Sequence, residues 1–202
     1  MSIDIRKLTP ELLEDYLNFF DTTPHDDNTD ESKCYCVGWC SADHRIKTDF
    51  SSPEKRRAIA AKYVNEGVIK GYLAYHEGRV VGWCNANTRS DCLHCVGWQF
   101  LMKEFNTDET APESKIKSIF CFVIAPEMQR KGIATLLMQR VCYDAVDEGF
   151  DYVEAYPKRE FTSAARDFMG PVEMYIKHGF VLHEKLEKGE IEVVMRKKLH
   201  HI

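Results

Sequence analysis

Residues 116–148, IKSIFCFVIAPEMQRKGIATLLMQRVCYDAVDE, constrain this chain more than any other stretch. Ile119, Phe120, Cys121, Phe122, Val123 and Ile124 form an unbroken apolar run, rich in β-branched and aromatic residues and bounded by Pro126. Such a run predicts a buried strand. Glu127, Met128, Gln129, Arg130, Lys131 and Gly132 then follow with no apolar period. From Ile133 the spacing turns helical, placing Ile133, Leu136, Leu137, Val141 and Ala145 on one stripe. A strand, a polar turn, a glycine and an amphipathic helix leave backbone N–H groups and a positive helix end beside the turn. Anions bind at such a place, phosphate most readily.

Two phosphate motifs are absent. There is no Gly-x-x-x-x-Gly-Lys-Ser/Thr, and no Gly-x-Gly-x-x-Gly follows a strand. Gln129-Arg130-Lys131-Gly132-Ile133-Ala134 resembles instead the Gln/Arg-x-x-Gly-x-Gly/Ala signature of the GNAT acyl-CoA transferase superfamily. The resemblance implies that this turn holds the pyrophosphate of coenzyme A, with Phe122, Val123 and Ile124 along the pantetheine arm. Gly132 suits that role because a side chain would obstruct close backbone approach. Arg130 and Lys131 add complementary charge. The resemblance further implies a mixed α/β (α+β) fold, with a mostly antiparallel sheet flanked by helices and splayed at the acyl-CoA strand.

At 202 residues, 44% hydrophobic and 29% charged, the chain suits one globular domain over 1–202, carrying a cysteine-bearing arm at about 21–52 and an insertion at about 88–115. A net charge of −5 with no useful basic run argues against general nucleic-acid binding. MSIDIRKLTPELLEDY lacks the apolar core of a signal peptide, and no stretch is long enough to span a bilayer. The expected location is cytoplasmic, with no membrane partner. In that compartment the eight cysteines are expected as thiols or metal ligands rather than disulfides.

Along the chain, IDIRKL alternates as a short strand, and Thr9-Pro10-Glu11 opens a helix carrying Leu12, Leu13, Tyr16, Leu17 and Phe20. A polar loop follows, with acids at Asp21, Asp26, Asp27, Asp30 and Glu31 that favour a cationic acceptor or simply solvate the loop. Ser52-Pro53-Glu54 starts the next helix, and two strands meet at a Glu77-Gly78 turn. CLHCVGWQF is expected as a strand. Asp151–Tyr156 is another, Pro171 opens a short helix ended by Gly179, and two strands close the chain around Lys188-Gly189.

Glu173 to Phe180, EMYIKHGF, resembles the superfamily's Leu-Tyr-x-x-x-Gly-Phe motif, in which the tyrosine lies near the coenzyme A sulfur. That implies Tyr175 as proton donor to the leaving thiolate. The Asn that relatives often carry before this helix is missing from FTSAARDFMGPVE, where Ser163 is the available substitute. Backbone N–H groups near Val123 are the expected donors to the thioester oxygen. For the general base, Glu154 and His76 both stay open, as does water alone. The implied activity is acetyl-CoA-dependent N-acetylation of a small-molecule or peptide amine, with acetyl-CoA as co-substrate, no metal, an undefined acceptor and a possible homodimer.

A competing reading starts from Cys34-x-Cys36-x-x-x-Cys40 and Cys92-x-His94-Cys95, whose thiolates and imidazole suit zinc. Their spacings differ from those of zinc ribbons, so thiols that shape the structure or line a pocket are the favoured reading. Trp39, Trp83 and Trp98 are expected as core or pocket wall. A catalytically silent acyl-CoA sensor and a zinc-binding module remain the alternatives to an enzyme.

Overall fold

A computed structural model describes residues 1–23, 33–40, 45–102, 105, 114–163, 166–186 and 192–200. Their strands join one seven-stranded sheet: β1 (Asp4–Lys7), β2 (Gly71–His76), β3 (Arg79–Thr88), β4 (Ile116–Ile124), β5 (Tyr152–Ala155), β6 (Val181–Lys185) and β7 (Val193–Lys198). The order across the sheet is β1-β2-β3-β4-β5-β7-β6, and every pair is antiparallel except β4 with β5. The helices are α1 (Leu13–Thr22), α2 (Pro53–Asn65), α3 (Arg89–Cys92), α4 (Val96–Leu101), α5 (Ile133–Asp147) and α6 (Val172–Lys177). The mixed, mostly antiparallel fold expected from the sequence is the one observed.

Local chemistry explains most boundaries. Ser52 caps α2, its hydroxyl accepting from the Lys55 N–H at 3.3 Å, with Pro53 in the first turn. Glu77 and Gly78 take φ of 49° and 78°, the left-handed pair that joins two adjacent antiparallel strands. Gly179 closes α6 at φ 82°. The Lys188-Gly189 turn lies outside the described residues, as do Asp26, Asp27, Asp30 and Glu31.

The strand expected at CLHCVGWQF is instead two short helices, α3 and α4. Cys92 at the end of α3, Cys95 capping α4 and Trp98 within α4 are all buried, so the apolar density that suggested a strand is divided between two short helices and the turn between them. The Cys95 sulfur accepts from the Trp98 N–H at 3.4 Å, and the Gln99 amide donates to the Leu93 carbonyl at 2.7 Å. Gly97 has a packing reason, since a Cβ there would meet the Gly38 carbonyl at 2.9 Å and the Trp39 ring at 2.9 Å.

The sheet's two faces are covered differently. Trp83, fully buried, stands against Tyr16 at 4.8 Å and Phe20 at 6.4 Å between ring centroids, which puts α1 on its face. On the same face Trp39 stacks on Phe120 at 4.7 Å, Phe120 stacks on Tyr156 at 5.7 Å, and Trp98 meets Phe120 and Tyr156 edge-on at 6.1 Å. The three tryptophans are thus core and wall. At Gly82, on the opposite face, a Cβ would lie 3.1 Å from Ile133, so α5 packs there.

Two features of β4 shape the site. Asn85 pairs with Cys121 while Ala86 pairs with Ile119, leaving Phe120 as an extra residue. This bulge turns Phe120 and Cys121 toward the same aromatic face and bends the strand. The parallel pairing with β5 runs only from Ile116 to Ile119. Beyond Ile119 the two strands diverge and the edge of β4 lacks a β5 partner.

Candidate functional site

The turn expected to bind phosphate is built as the sequence suggested. After β4, Pro126–Met128 makes one 3₁₀ turn, Arg130 takes φ 61°, and Gly132 takes φ 81° as the residue that caps α5. A non-glycine residue in the left-handed region is uncommon and recurs at functional turns. No Cβ clash awaits at Gly132, so its positive φ is the local reason for glycine. The first intrahelical bond is Leu136 N–H to the Gly132 carbonyl at 3.0 Å, and α5 has no side-chain cap. The N–H groups of Ile133, Ala134 and Thr135 precede that bond and lack an intrahelical acceptor. Arg130 and Lys131 stand exposed beside them, while Gln129 donates from its side chain to the Ile124 carbonyl at 3.3 Å.

At the divergence, the Phe122 N–H points away from β3 and donates to the Phe168 carbonyl at 2.6 Å. Strand N–H groups alternate between edges, so Ile124 shares the Phe122 edge and Val123 faces β3. The Ala125 N–H, bonded to the Val81 carbonyl at 3.0 Å, keeps that alternation. The edge N–H groups near Val123 are therefore those of Phe122 and Ile124, which flank it.

Tyr175 is fully buried and donates its hydroxyl to the Met169 carbonyl at 2.5 Å. Its ring packs edge-on against Phe180 at 5.1 Å, so the tyrosine and phenylalanine of the motif form one contact. Burial pushes the phenol well above its ordinary pKa, keeping it protonated. A Cβ on Gly170 would lie 3.5 Å from both the Phe122 ring and the Tyr175 oxygen. Phe122 and Tyr175, separate in sequence, therefore converge on the strip Phe168-Met169-Gly170. Two of that strip's carbonyls take the two donors. Sequence reasoning missed it; the Asp167 carboxylate accepts from the Thr162 hydroxyl and the Ser163 N–H, a contact that no local motif in the sequence announces.

Neither candidate base is placed to take a proton. Glu154 is fully buried, and Oε1 accepts from Arg196 Nε at 2.6 Å. Its Oε2 accepts from Arg89 at 3.2 Å and from the Tyr156 hydroxyl at 3.0 Å. It is the anion of a buried ionic network. His76 sits at the outer end of β2, its Nδ1 3.0 Å from the Ser2 carbonyl. Ser163 is engaged within its own loop: its N–H donates to Asp167 at 3.1 Å and its hydroxyl accepts from the Arg166 N–H at 3.3 Å.

All eight cysteines are free, seven of them buried and Cys34 partly so. The Trp83 indole N–H donates to the Cys36 sulfur at 3.3 Å, and the Asn85 amide reaches the Cys40 sulfur at 3.8 Å. These thiols form part of the aromatic face. Neighbouring thiols and burial raise Cys34 and Cys36 well above the ordinary thiol range, and burial first of all raises Cys40 and Cys84. Cys95 is held down by the Cys92 thiol that donates to it and by the Trp98 N–H. Among the described residues no group of three or more His, Cys, Asp or Glu is placed to hold a metal ion, and no helix is long and apolar enough to cross a membrane.

Solved structures share this architecture. Polyamine N-acetyltransferase from Drosophila melanogaster aligns over 98% of this chain and 100% of its own, with a TM-score of 0.56 at 13% identity. PaiA N-acetyltransferase from Thermoplasma acidophilum, solved in complex with coenzyme A, aligns over 98% and 100%, with a TM-score of 0.52 at 17% identity. The GNAT domain of PAT from S. lividans aligns over 98% and 92%, with a TM-score of 0.55 at 16% identity. At such identities the likeness speaks for the fold alone. No curated protein matches the chain. The model of the Acetyltransferase (GNAT) family matches residues 28–180, which contain the β4 edge, the Arg130–Gly132 turn and Tyr175. With most of its length matched and the site inside the match, the chain belongs to the GNAT acetyltransferase family, enzymes that use acetyl-CoA as acyl donor.

Proposed function

We propose that this protein is a cytoplasmic N-acetyltransferase that acts on a small-molecule or peptide amine, by direct attack of the amine on acetyl-CoA in a ternary complex. The observation that carries the reading is the continuity of three parts. A β4 edge that has no β5 partner beyond Ile119 runs into a left-handed turn, and the turn opens α5 with no side-chain cap.

In this reading Arg130, Lys131 and the N–H groups of Ile133 and Ala134 take the pyrophosphate, where helix dipole and cationic side chains act together. The Phe122 and Ile124 edge takes the pantetheine amides and thioester oxygen, replacing the Phe168 carbonyl. The amine nitrogen forms its bond to the thioester carbon as the carbon–sulfur bond breaks. Tyr175 gives the departing sulfur a proton, and the amine loses one to solvent. Holding both substrates in attack geometry supplies much of the rate.

Acetyl-CoA should raise the thermal midpoint, since a ligand bound only by the folded chain stabilises it by RT ln(1 + [L]/Kd). Gly132→Glu puts a side chain in a left-handed position and a carboxylate beside the phosphates. It should abolish that shift while the unliganded midpoint falls by only a few degrees. An unchanged acetyl-CoA shift in the variant would sink the proposal. Release of free coenzyme A when amines are offered separates an enzyme from a silent sensor. Stoichiometric zinc in purified protein would favour the zinc-module alternative.

A further inference from the structure

Asp167 is a polar group with no part in the chemistry above. It lies between β5 and α6 and is only 4% exposed. Its Oδ2 is engaged by the Thr162 N–H, by the Thr162 hydroxyl at 2.9 Å and by the Ser163 N–H at 3.1 Å. Its Oδ1 is buried and has no hydrogen-bond partner among the described residues. A buried carboxylate oxygen without a donor is costly, and native proteins keep few of them unless a water, ion or ligand completes the site.

The place of this carboxylate points to an occupant. Asp167 helps line a cavity of about 50 Å³ together with Leu101, Tyr156, Lys158, Arg166 and Phe168. That volume suits a head group the size of one water or ammonium rather than a whole substrate. The next residue in the chain, Phe168, carries the carbonyl that rests on the Phe122 N–H, so the cavity adjoins the β4 edge. Tyr156 belongs to the aromatic face, whereas Tyr175 approaches Phe122 from the α5 face. An amine in the cavity therefore meets the edge from the side opposite the leaving-group donor. Burial pushes the Asp167 carboxyl up, but Thr162, Ser163 and the nearby Lys158 outweigh it and hold the group below the usual carboxylate range. The group is an anion at neutral pH. Lys158, partly buried, and Arg166, exposed, add positive charge at the wall and mouth. A second ammonium on the acceptor would be repelled there, while an anionic group would be attracted.

We propose that Asp167 is the acceptor-binding carboxylate, its Oδ1 receiving the ammonium of a small zwitterionic amine whose anionic group lies against Lys158 and Arg166. The proposal rests on the acyltransferase reading and names the substrate class of that site.

The test uses the full chain with saturating acetyl-CoA and three acceptor types: α-amino acids, the corresponding amides, and putrescine. The amino acids should exceed their amides and putrescine by about tenfold or more in kcat/KM, the scale of one charged contact. Asp167→Asn should raise the amine KM by about tenfold or more and leave the acetyl-CoA KM within about twofold. Thr162→Val, which disturbs only the Oδ2 side, should move the amine KM by less than about threefold and controls for a loop that merely loosens. Thermal stabilisation of the coenzyme A-loaded protein by the amino acid, lost in Asp167→Asn, reports the same contact without turnover. Binding without release of coenzyme A would therefore count against the acyltransferase reading and leave Asp167 standing. An unchanged amine affinity in Asp167→Asn, a raised acetyl-CoA KM in its place, or a preference for putrescine overturns the assignment.

Discussion

Replacing Tyr175 by Phe separates the two jobs its hydroxyl is given. The ring is fully buried and packs against Phe180 at 5.1 Å, so phenylalanine keeps the packing and deletes one oxygen. The lost bond is the 2.5 Å donation to the Met169 carbonyl, which is left without that donor in the interior. An acceptor orphaned in this way costs about 1–3 kcal/mol. For a chain of this size each kcal/mol moves the midpoint by about 2–4 °C, so a fall of roughly 2–12 °C is expected. If the phenol protonates the leaving sulfur, kcat should fall by about a hundredfold, at the low end of general-acid effects. The acetyl-CoA KM should stay within about threefold, because the proposed pyrophosphate and pantetheine contacts are assigned to Arg130, Lys131 and the β4 edge rather than to Tyr175. Steady-state release of coenzyme A, measured well below the variant's midpoint, gives both constants. A variant that loses the expected stability yet keeps kcat within about threefold would show Tyr175 to be a packing residue, and the proton-donor role would fall.

Glu154→Gln should destabilise the fold by about 3–5 kcal/mol, since it leaves Arg89 and Arg196 buried against a neutral amide; denaturant midpoints check this. Activity corrected for folded fraction should change little, and a selective loss of kcat at full stability would restore Glu154 as base. The thiols should be nearly silent toward an aqueous disulfide reagent at pH 7, because seven are buried and most are raised in pKa. All eight should titrate once the chain is unfolded, and fast native reaction of several would refute the buried thiol face.

The strand, turn and helix at 116–148 were legible because each depends on neighbours in sequence. An apolar run, a glycine with φ 81° and a helical stripe are local facts. The same holds for the Ser52 cap, the Glu77-Gly78 turn and the end of α6 at Gly179. CLHCVGWQF reads as a strand on apolar density alone, and that density does not reveal the turn that splits it between two short helices. Glu154 stays open as a base in the sequence because its partners, Arg89 and Arg196, come from a helix and a strand remote from it in the chain.

The sequence by itself determined the local machinery: a buried strand, a left-handed turn onto a helix N-terminus and the tyrosine motif, all specified by short-range pattern and backbone preference. Tertiary structure decided what surrounds that machinery. The bulge at Phe120 and the short β4–β5 pairing open the edge. The strip Phe168-Met169-Gly170 then takes the Phe122 and Tyr175 donors, and among the described residues one oxygen of Asp167 is left unmet. Each of these is a long-range contact whose energy depends on which distant groups arrive at one place. No local pattern of residues records that.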